Sequence, residues 1–348
     1  MGRTAAVVGG GIGGLATAIG LHRAGWDVTV YERAPSLPAT GTALGMWPAA
    51  LRALDALGLG GPARATGRPQ PAGALLRIDG SRIARVETGR DPVYLLSRPA
   101  LLRLLAGGLP DGVVRYGTAV DDLEPLRDGH DAVVAADGIF SRARAALFGD
   151  GYRAHYIGST AWRGVVPMET GTTSETWGTG GRFGVTPHES GWTNWYATTP
   201  AAEGARSPGG ELAALRALFG GWHDPIPRVL ELLTDDAILR HDLYELRPPL
   251  PSFVHGNVAL VGDAAHAMTP DLGRGACEAL LDGVALASCL AGAADVHSGL
   301  SRYDSRRRRP AQRVAAMSRR VNRLAGARRF TRLRDAAVRL ATAVAPGP

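Results

Sequence analysis

The chain has 348 residues, is 45% hydrophobic and carries a net charge of +7, enough chain for two domains or one large two-lobed body with a sizeable core. Every one of its 39 basic residues is arginine, which excludes a Walker A lysine, a Schiff-base lysine and a lysine general base. No stretch approaches the apolar length that spans a bilayer, so the expectation is a chain without a membrane span.

The first element is a short apolar run, Ala5 to Val8, suited to a central parallel strand, followed by a helical apolar period from Ile12 to Ala24. Between them stands Gly9-Gly10-Gly11-Ile12-Gly13-Gly14. Gly9 permits a tight turn, Gly11 lets a phosphate approach the backbone, and Gly14 allows close helix–strand packing. The free N–H groups at the start of that helix suit a pyrophosphate. Trp26 to Tyr31 alternates as a second strand and ends at Glu32, 23 residues after Gly9, where a carboxylate accepts from ribose hydroxyls; Arg33 offers donors to the adenosine. Arg3 before an apolar run suggests a processing signal, but the glycine cluster interrupts its core and no small-residue cleavage pattern follows.

Further along, Leu75 to Val86 reads as a hairpin broken at Asp79-Gly80. Val93 to Leu96 is a strand leading into a helix at Arg98, and a short strand lies near Val113 to Val120. Asp131 to Ala136 is again an apolar strand, turning at Asp137-Gly138 into a serine-led helix from Ser141 with Arg142 and Arg144. From Ala161 to Thr199 the pattern becomes short alternating strands (Ala161 to Val166, Arg182 to Thr186, Trp192 to Thr198). They imply an antiparallel sheet with one face free to cover something flat. Val258 to Val261 then breaks at Gly262-Asp263 into a second strand–turn–helix. With the first, it places one extended dinucleotide, FAD, across the molecule, adenosine at the first turn and flavin at the second. Cys277 and Cys289 share one expected helix, where their separation is about 18 Å. That is too far for a disulfide, and it fits a reducing, cytoplasmic compartment. The arginine-dense segment from Arg302 to Arg339 carries Val314, Met317, Val321 and Leu324 at helical spacing. It reads as a helix pair with that apolar face docked and its arginines solvated. Without interleaved aromatics it does not read as a nucleic-acid surface.

In this order, the glycine turn with Glu32, Asp137-Gly138, Gly262-Asp263 and Pro270-Asp271-Leu272-Gly273-Arg274-Gly275-Ala276-Cys277 resemble the FAD-dependent aromatic hydroxylases, the single-component flavoprotein monooxygenases. Gly45-Met46-Trp47-Pro48 and Ala161-Trp162-Arg163-Gly164 resemble the salicylate-, urate- and zeaxanthin-type branch. The resemblance covers nearly the whole chain. It implies an α/β fold: a Rossmann-like FAD-binding domain (residues 1–70, 93–155 and 250–295) interleaved with a mixed or antiparallel-sheet substrate domain (71–92 and 156–249), plus C-terminal helices (296–348). It also implies NADH or NADPH as reductant, O2 as co-substrate, and oxygen insertion into an aromatic or unsaturated small molecule through a flavin C4a-hydroperoxide. Asp263 would then accept from the ribitol hydroxyls. The turn Gly273, Arg274, Gly275, Ala276 and Cys277 would present N–H groups to the flavin pyrimidine, and Gly45 would let the chain pass close to the ring. Arg98 would reach the ribose or pyrophosphate, and Val120 would lie along the adenine. Asp137 would hold the pyrophosphate region or merely cap the turn into the Ser141 helix.

For the substrate side the candidates are Arg182, Asn194 and Tyr196, on strands expected to face the flavin, together with Pro270. Arg182 would pair an anionic or phenolate substrate or else edge the sheet in solvent, and Tyr196 is alternatively core. His188, His223 and His241 read as loop or helix-edge histidines and His266 as an organiser of its turn. Arg274 stands where relatives often have glutamine and either approaches the flavin or points to solvent. The segment Pro125 to His130 replaces a pair of accessory strands. A flavin halogenase would need a lysine, which is absent; a reductase or dehydrogenase on the same fold is the remaining alternative, and a non-catalytic FAD-binding scaffold a third.

Overall fold

The computed structural model describes residues 2–87, 91–171 and 173–344. Its first sheet has six strands in the order Val254–His255, Val258–Leu260, Ala132–Ala135, Thr4–Val8, Asp27–Glu32 and Val114–Tyr116. All neighbours are parallel except the first pair. The three central strands are almost wholly buried (Ala5, Val7, Val133, Val134, Ala259 and Leu260 at 0%), which is why they read as continuous apolar runs rather than alternating ones. The helix Ile12–Arg23 returns from the first strand and packs on the helix Gly275–Ala291. Cys277 and Cys289 both lie in that second helix, buried and unpaired.

The second sheet has seven strands: Leu239–Arg247, Arg153–Val166, Thr193–Pro200, Arg182–Pro187, Thr173–Trp177, Ala72–Arg77 and Arg82–Glu87. It is antiparallel except between Ala72–Arg77 and Thr173–Trp177, so the expected mixed sheet and the hairpin at Asp79-Gly80 are both present. Its two faces differ. Trp162, Phe183, Val185, Trp195 and Ala197 bury one face against the helices Glu211–Phe219 and Ile226–Glu231. Arg163, Arg182, Asn194 and Tyr196 alternate with them and turn to the opposite face. That face meets a three-stranded sheet of Ala43–Met46, Val93–Ser97 and Arg68–Gln70, where Ala43 N donates to Asn194 Oδ1 at 2.9 Å.

The C-terminal pair exists as helices Val296–Ala325 and Thr331–Val344, but the expected docking face is wrong. Met317 and Leu324 are 49% and 38% exposed, while Tyr303, Arg307, Ala311, Ser318 and Ala325 face the body. The helix docks through a different stripe, Leu300, Tyr303, Ala311 and Ala325, interleaved with polar contacts. Tyr303 Oη donates to Leu260 O (2.8 Å) and Ser318 Oγ to Thr269 O (2.6 Å), and Arg307 pairs with Glu278 and Asp282. Arg334 is buried too, beside Asp335 and over the Trp177 ring. Arginines read as solvated are therefore partly internal. The Pro125–His130 stretch lies largely in a short helix, Glu124–Gly129.

One buried side chain fixes the turns at the carboxyl ends of the parallel strands. Arg144, 2% exposed, donates to Ile139 O (2.6 Å), Tyr152 O (2.9 Å), Ala264 O (3.0 Å) and Asp263 O (3.3 Å). It thus joins the Asp137-Gly138 loop to the Gly262-Asp263 loop. Replacing it by Met leaves several carbonyls unpaired, so Arg144→Met is expected to lose about 2–4 kcal/mol in urea unfolding. A variant within 0.5 kcal/mol of wild type (roughly the scatter of surface substitutions) would refute this role.

Candidate active site

At the first turn, Gly9 has φ +107° and a Cβ there would lie 2.3 Å from Ala136 O. A Cβ on Gly14 would lie 2.0 Å from Gly9 O. Gly11 has nothing within 4 Å of its Cβ position, so the helix start opens onto free space. Gly13 instead packs towards Val261. Glu32 is at the end of its strand, where Oε2 accepts from Gly10 N (2.6 Å) and Oε1 from Ala34 N (2.8 Å). Its carboxylate therefore also shapes the glycine turn, a role that spacing alone did not reveal. Arg33 is exposed beside it, and Arg98 is exposed at the first position of the helix Arg98–Ala106.

Val120 and Asp137 share a cleft of about 190 Å³ with Val8, Asp121 and Arg142. Asp137 Oδ2 accepts from Ala143 N at 3.1 Å, near the start of the helix Arg142–Phe148. Its Oδ1 is buried without a partner. The cap reading and the cofactor reading are therefore compatible: one oxygen is used and one is left for a donor from outside the chain.

At the second turn, Gly262 (φ +60°) and Gly273 (φ +59°) take left-handed conformations that other residues resist. The Asp263 carboxylate is exposed and receives no hydrogen bond among the described residues. Behind it His266 Nε2 lies 2.5 Å from Asp282 Oδ2, which also accepts from Gly262 N (2.9 Å), while Arg307 Nε donates to Asp282 Oδ1 (2.7 Å). Burial works against a charged His266, but Asp282 outweighs it and raises the imidazole pKa; Asp282 is correspondingly lowered. His266 thus organises its turn. Asp282 and Arg307, which hold it, carry no motif signal and were not singled out from sequence.

The helix Gly275–Ala291 has its first intrahelical donor at Glu278, to Arg274 O (2.9 Å). The N–H groups of Gly275, Ala276 and Cys277 are left without intrahelical partners. Cys277 Sγ donates to Gly45 O at 3.1 Å, tying this helix start to the Ala43–Met46 strand. Burial pushes its thiol up to about 11. Arg274 lies over the Trp47 ring and donates to Glu278 Oε1 (2.9 Å), so it is held by the protein rather than pointing freely to solvent.

Across the seven-stranded sheet, Arg163, Tyr196, Gly184 and Glu175 form one cross-strand row. A Cβ on Gly184 would lie 2.2 Å from Tyr196 Cζ; only glycine lets the tyrosine ring lie across that strand and donate to Glu175 Oε2. Burial first, and then the Glu175 carboxylate, raise the Tyr196 pKa well above its usual value. Arg182 is 7% exposed and donates to Asp271 Oδ1 and to Thr198 Oγ1 (3.2 Å), with Glu175 at 3.7 Å. It neither edges the sheet in solvent nor stands as a free cation, because two carboxylates already face it. Asp271 also accepts from Asn322 of the C-terminal helix (3.1 Å) and keeps Oδ2 unpartnered. Asn194 Nδ2 donates to Thr186 Oγ1 (3.0 Å), so with Ala43 its amide acts as a strut. Pro270 is exposed and opens the turn that ends at Gly273. His223 lies on the other face, 2.9 Å from Thr176 Oγ1, and His188 is 2.8 Å from Ser190 Oγ; neither is near Tyr196's row. His241 is paired with Ala161 on the neighbouring strand, and burial with Arg163 lowers its pKa.

These residues fit an extended dinucleotide on observations of the chain itself: open space at Gly11, the orphaned Asp137 oxygen, the unpaired Asp263 carboxylate and the free helix start at Gly275. Residues 3–137 and 250–318 match the FAD binding domain family. The chain is 36% identical to the aurachin C monooxygenase/isomerase of Stigmatella aurantiaca, over 93% of this chain and 90% of that protein. It is 33% identical to the 3-amino-4-hydroxybenzoate 2-monooxygenase of Streptomyces cremeus, over 92% and 86%. Its fold superposes on Klebsiella pneumoniae HpxO complexed with FAD and uric acid with a TM-score of 0.88 at 25% identity, covering 99% of this chain and 93% of that one. The chain belongs to the FAD-dependent monooxygenases, and it is an FAD enzyme acting on small molecules. No helix among the described residues is long and apolar enough to cross a membrane.

Two outcomes follow from this geometry. Asp263→Ala removes a charged acceptor and should weaken FAD binding by roughly tenfold or more, the equivalent of about 1.5–3 kcal/mol; unchanged affinity by fluorescence titration would be contrary to the assignment. A histidine whose folded pKa is raised contributes stability that is full below its unfolded value, near 6.5, and is lost as pH rises through the folded one. The stability gap between wild type and His266→Gln should therefore be wider at pH 6 than at pH 9, and a gap that widens with pH would reverse the sign.

Proposed function

We propose that the chain uses NADH or NADPH and O2 to hydroxylate or epoxidise an aromatic or unsaturated small molecule, held between the flavin and the Arg182–Asn194–Tyr196 face. The observation that carries this reading is Tyr196, laid over Gly184 to Glu175 on the face whose Asn194 reaches Ala43 and whose Arg182 reaches Asp271. Reduced FAD supplies the electrons and the oxygen-activating chemistry when bound. The protein's contribution is position and exclusion of water. Gly9, Gly11, Gly14, Glu32, Arg33 and Val120 take the adenosine and pyrophosphate end. Asp137 and Arg98 take the middle, and Asp263 the ribitol. Gly273 to Cys277 offer N–H groups and a helix dipole to the pyrimidine, where charge accumulates on reduction.

In this reading residues 1–70, 93–155 and 250–295 form the FAD-binding part, 71–92 and 156–249 the substrate part, and 296–348 a helical brace. Arg182 acts through Asp271: their ion pair ties the substrate sheet to the turn that opens with Pro270. Tyr196 keeps its proton and donates to Glu175, so its ring and hydroxyl present a fixed polar wall rather than a ready base. A reducing cytoplasmic setting completes the proposal, supported by two buried free thiols.

The test measures NADPH oxidation, O2 uptake and hydrogen peroxide with a panel of aromatics. A true substrate should accelerate flavin reduction and give reductant, O2 and product in equal amounts. Oxidation of NADPH that no aromatic accelerates would instead favour a reductase. Gly184→Ala forces the Tyr196 ring aside; it should retain FAD yet lose about tenfold to a hundredfold in coupled turnover, released as peroxide. Unchanged coupling in that variant would show that the ring position is immaterial.

A further inference from the structure

The sequence singles out Arg182 as the anion partner, yet the structure gives that residue two carboxylates of its own, Asp271 and Glu175. The guanidinium without one is Arg163, at the head of the same cross-strand row as Tyr196 and on the same sheet face. Its Nε is buried with no hydrogen-bond partner, and no ion pair reaches it among the described residues. The charged groups near it are Arg98, from the helix Arg98–Ala106, and His241, from the neighbouring strand. Burial, and then Arg98, lower its pKa. A largely buried cation facing another cation is costly unless an anion from outside the chain joins it. In the reading above the cofactor's anionic parts already have their donors: the pyrophosphate at the Gly11 helix start and Arg98, the reduced ring at Gly275 to Cys277.

Resting on that reading, we propose that Arg163 is the counter-cation for the substrate, and that the substrate carries an ionised oxygen, carboxylate or enolate-type, which this guanidinium holds beside Tyr196. Arg182 is then a structural tie between sheet and turn, and selectivity for acidic aromatics resides one strand away, on Arg163. The pairing is charge-assisted and fork-shaped, so it fixes orientation as well as affinity.

The test uses the FAD-loaded full-length enzyme and azide, a small anion that fits any substrate pocket, read by the flavin difference spectrum. Wild type should show a saturable perturbation. R163Q should weaken it about tenfold or more, the worth of one charge-assisted contact, while R163K restores much of it. A control independent of any variant's folding is the wild-type preference between benzoate and benzamide, expected at about tenfold in favour of the acid. Equal azide affinity in R163Q, no saturable perturbation in wild type, or no preference for benzoate would each overturn the proposal. So would loss of FAD in R163Q with a wild type indifferent to azide, which would assign Arg163 to the cofactor. Failure of the monooxygenase reading looks different: anions bind as expected, but no aromatic acid couples NADPH oxidation to O2 consumption.

Discussion

The site depends on the contact among three chain reversals at the carboxyl ends of neighbouring parallel strands. The Gly9 turn lies against Ala136 with no room for a side chain, and Arg144 binds the Asp137-Gly138 loop to the Gly262-Asp263 loop through the carbonyls of Ile139, Asp263 and Ala264, holding Tyr152 O as well. Buried carbonyls need donors. A single rigid guanidinium that satisfies four of them locks the relative height of the loops more firmly than separate pairings would. The nucleotide-binding turn, the orphaned Asp137 oxygen and the Asp263 carboxylate therefore sit on one fixed ledge, across which an extended cofactor is able to lie.

The substrate side is built by a different device. Its sheet presents an apolar face to two helices and a polar face to the Ala43–Met46 strand and the Pro270–Gly273 turn, and the polar face is cross-linked rather than merely lined. Asn194 reaches the Ala43 backbone, Arg182 reaches Asp271, and Tyr196 reaches Glu175 over Gly184. Ser318 and Asn322 of the C-terminal helix close the same turn from behind through Thr269 and Asp271. That helix, an appendage by composition, is part of the wall that positions Pro270.

Periodicity and turn chemistry made the parallel strands, the two glycine turns, the Asp79-Gly80 hairpin and the C-terminal helix pair legible in the sequence, because each is specified within about ten residues of chain. The two strand–turn–helix motifs pointed to FAD, and the family resemblance added the reductant and O2. What stayed hidden depends on contacts distant in sequence. Glu175, Asp271, Asp282 and Arg307 are ordinary charges until the fold brings them to Tyr196, Arg182, His266 and Glu278. The face of the Val296–Ala325 helix was misjudged for the same reason. Hydrophobicity marked Met317 and Leu324, but the buried face carries Leu300, Ala311 and Ala325 together with Tyr303, Arg307 and Ser318, which meet carbonyls and carboxylates of the body. Arg163 and Arg182 look alike in sequence, and only the count of carboxylates around each separates them.

The most direct test of this account is a crystal structure of the FAD complex. The account predicts the adenosine at Glu32 and Val120, the ribitol hydroxyls on Asp263, and the isoalloxazine between the Gly273–Cys277 turn and the sheet face bearing Arg163 and Tyr196. A flavin ring lying away from that face, with Asp263 still free of hydrogen bonds, would contradict it.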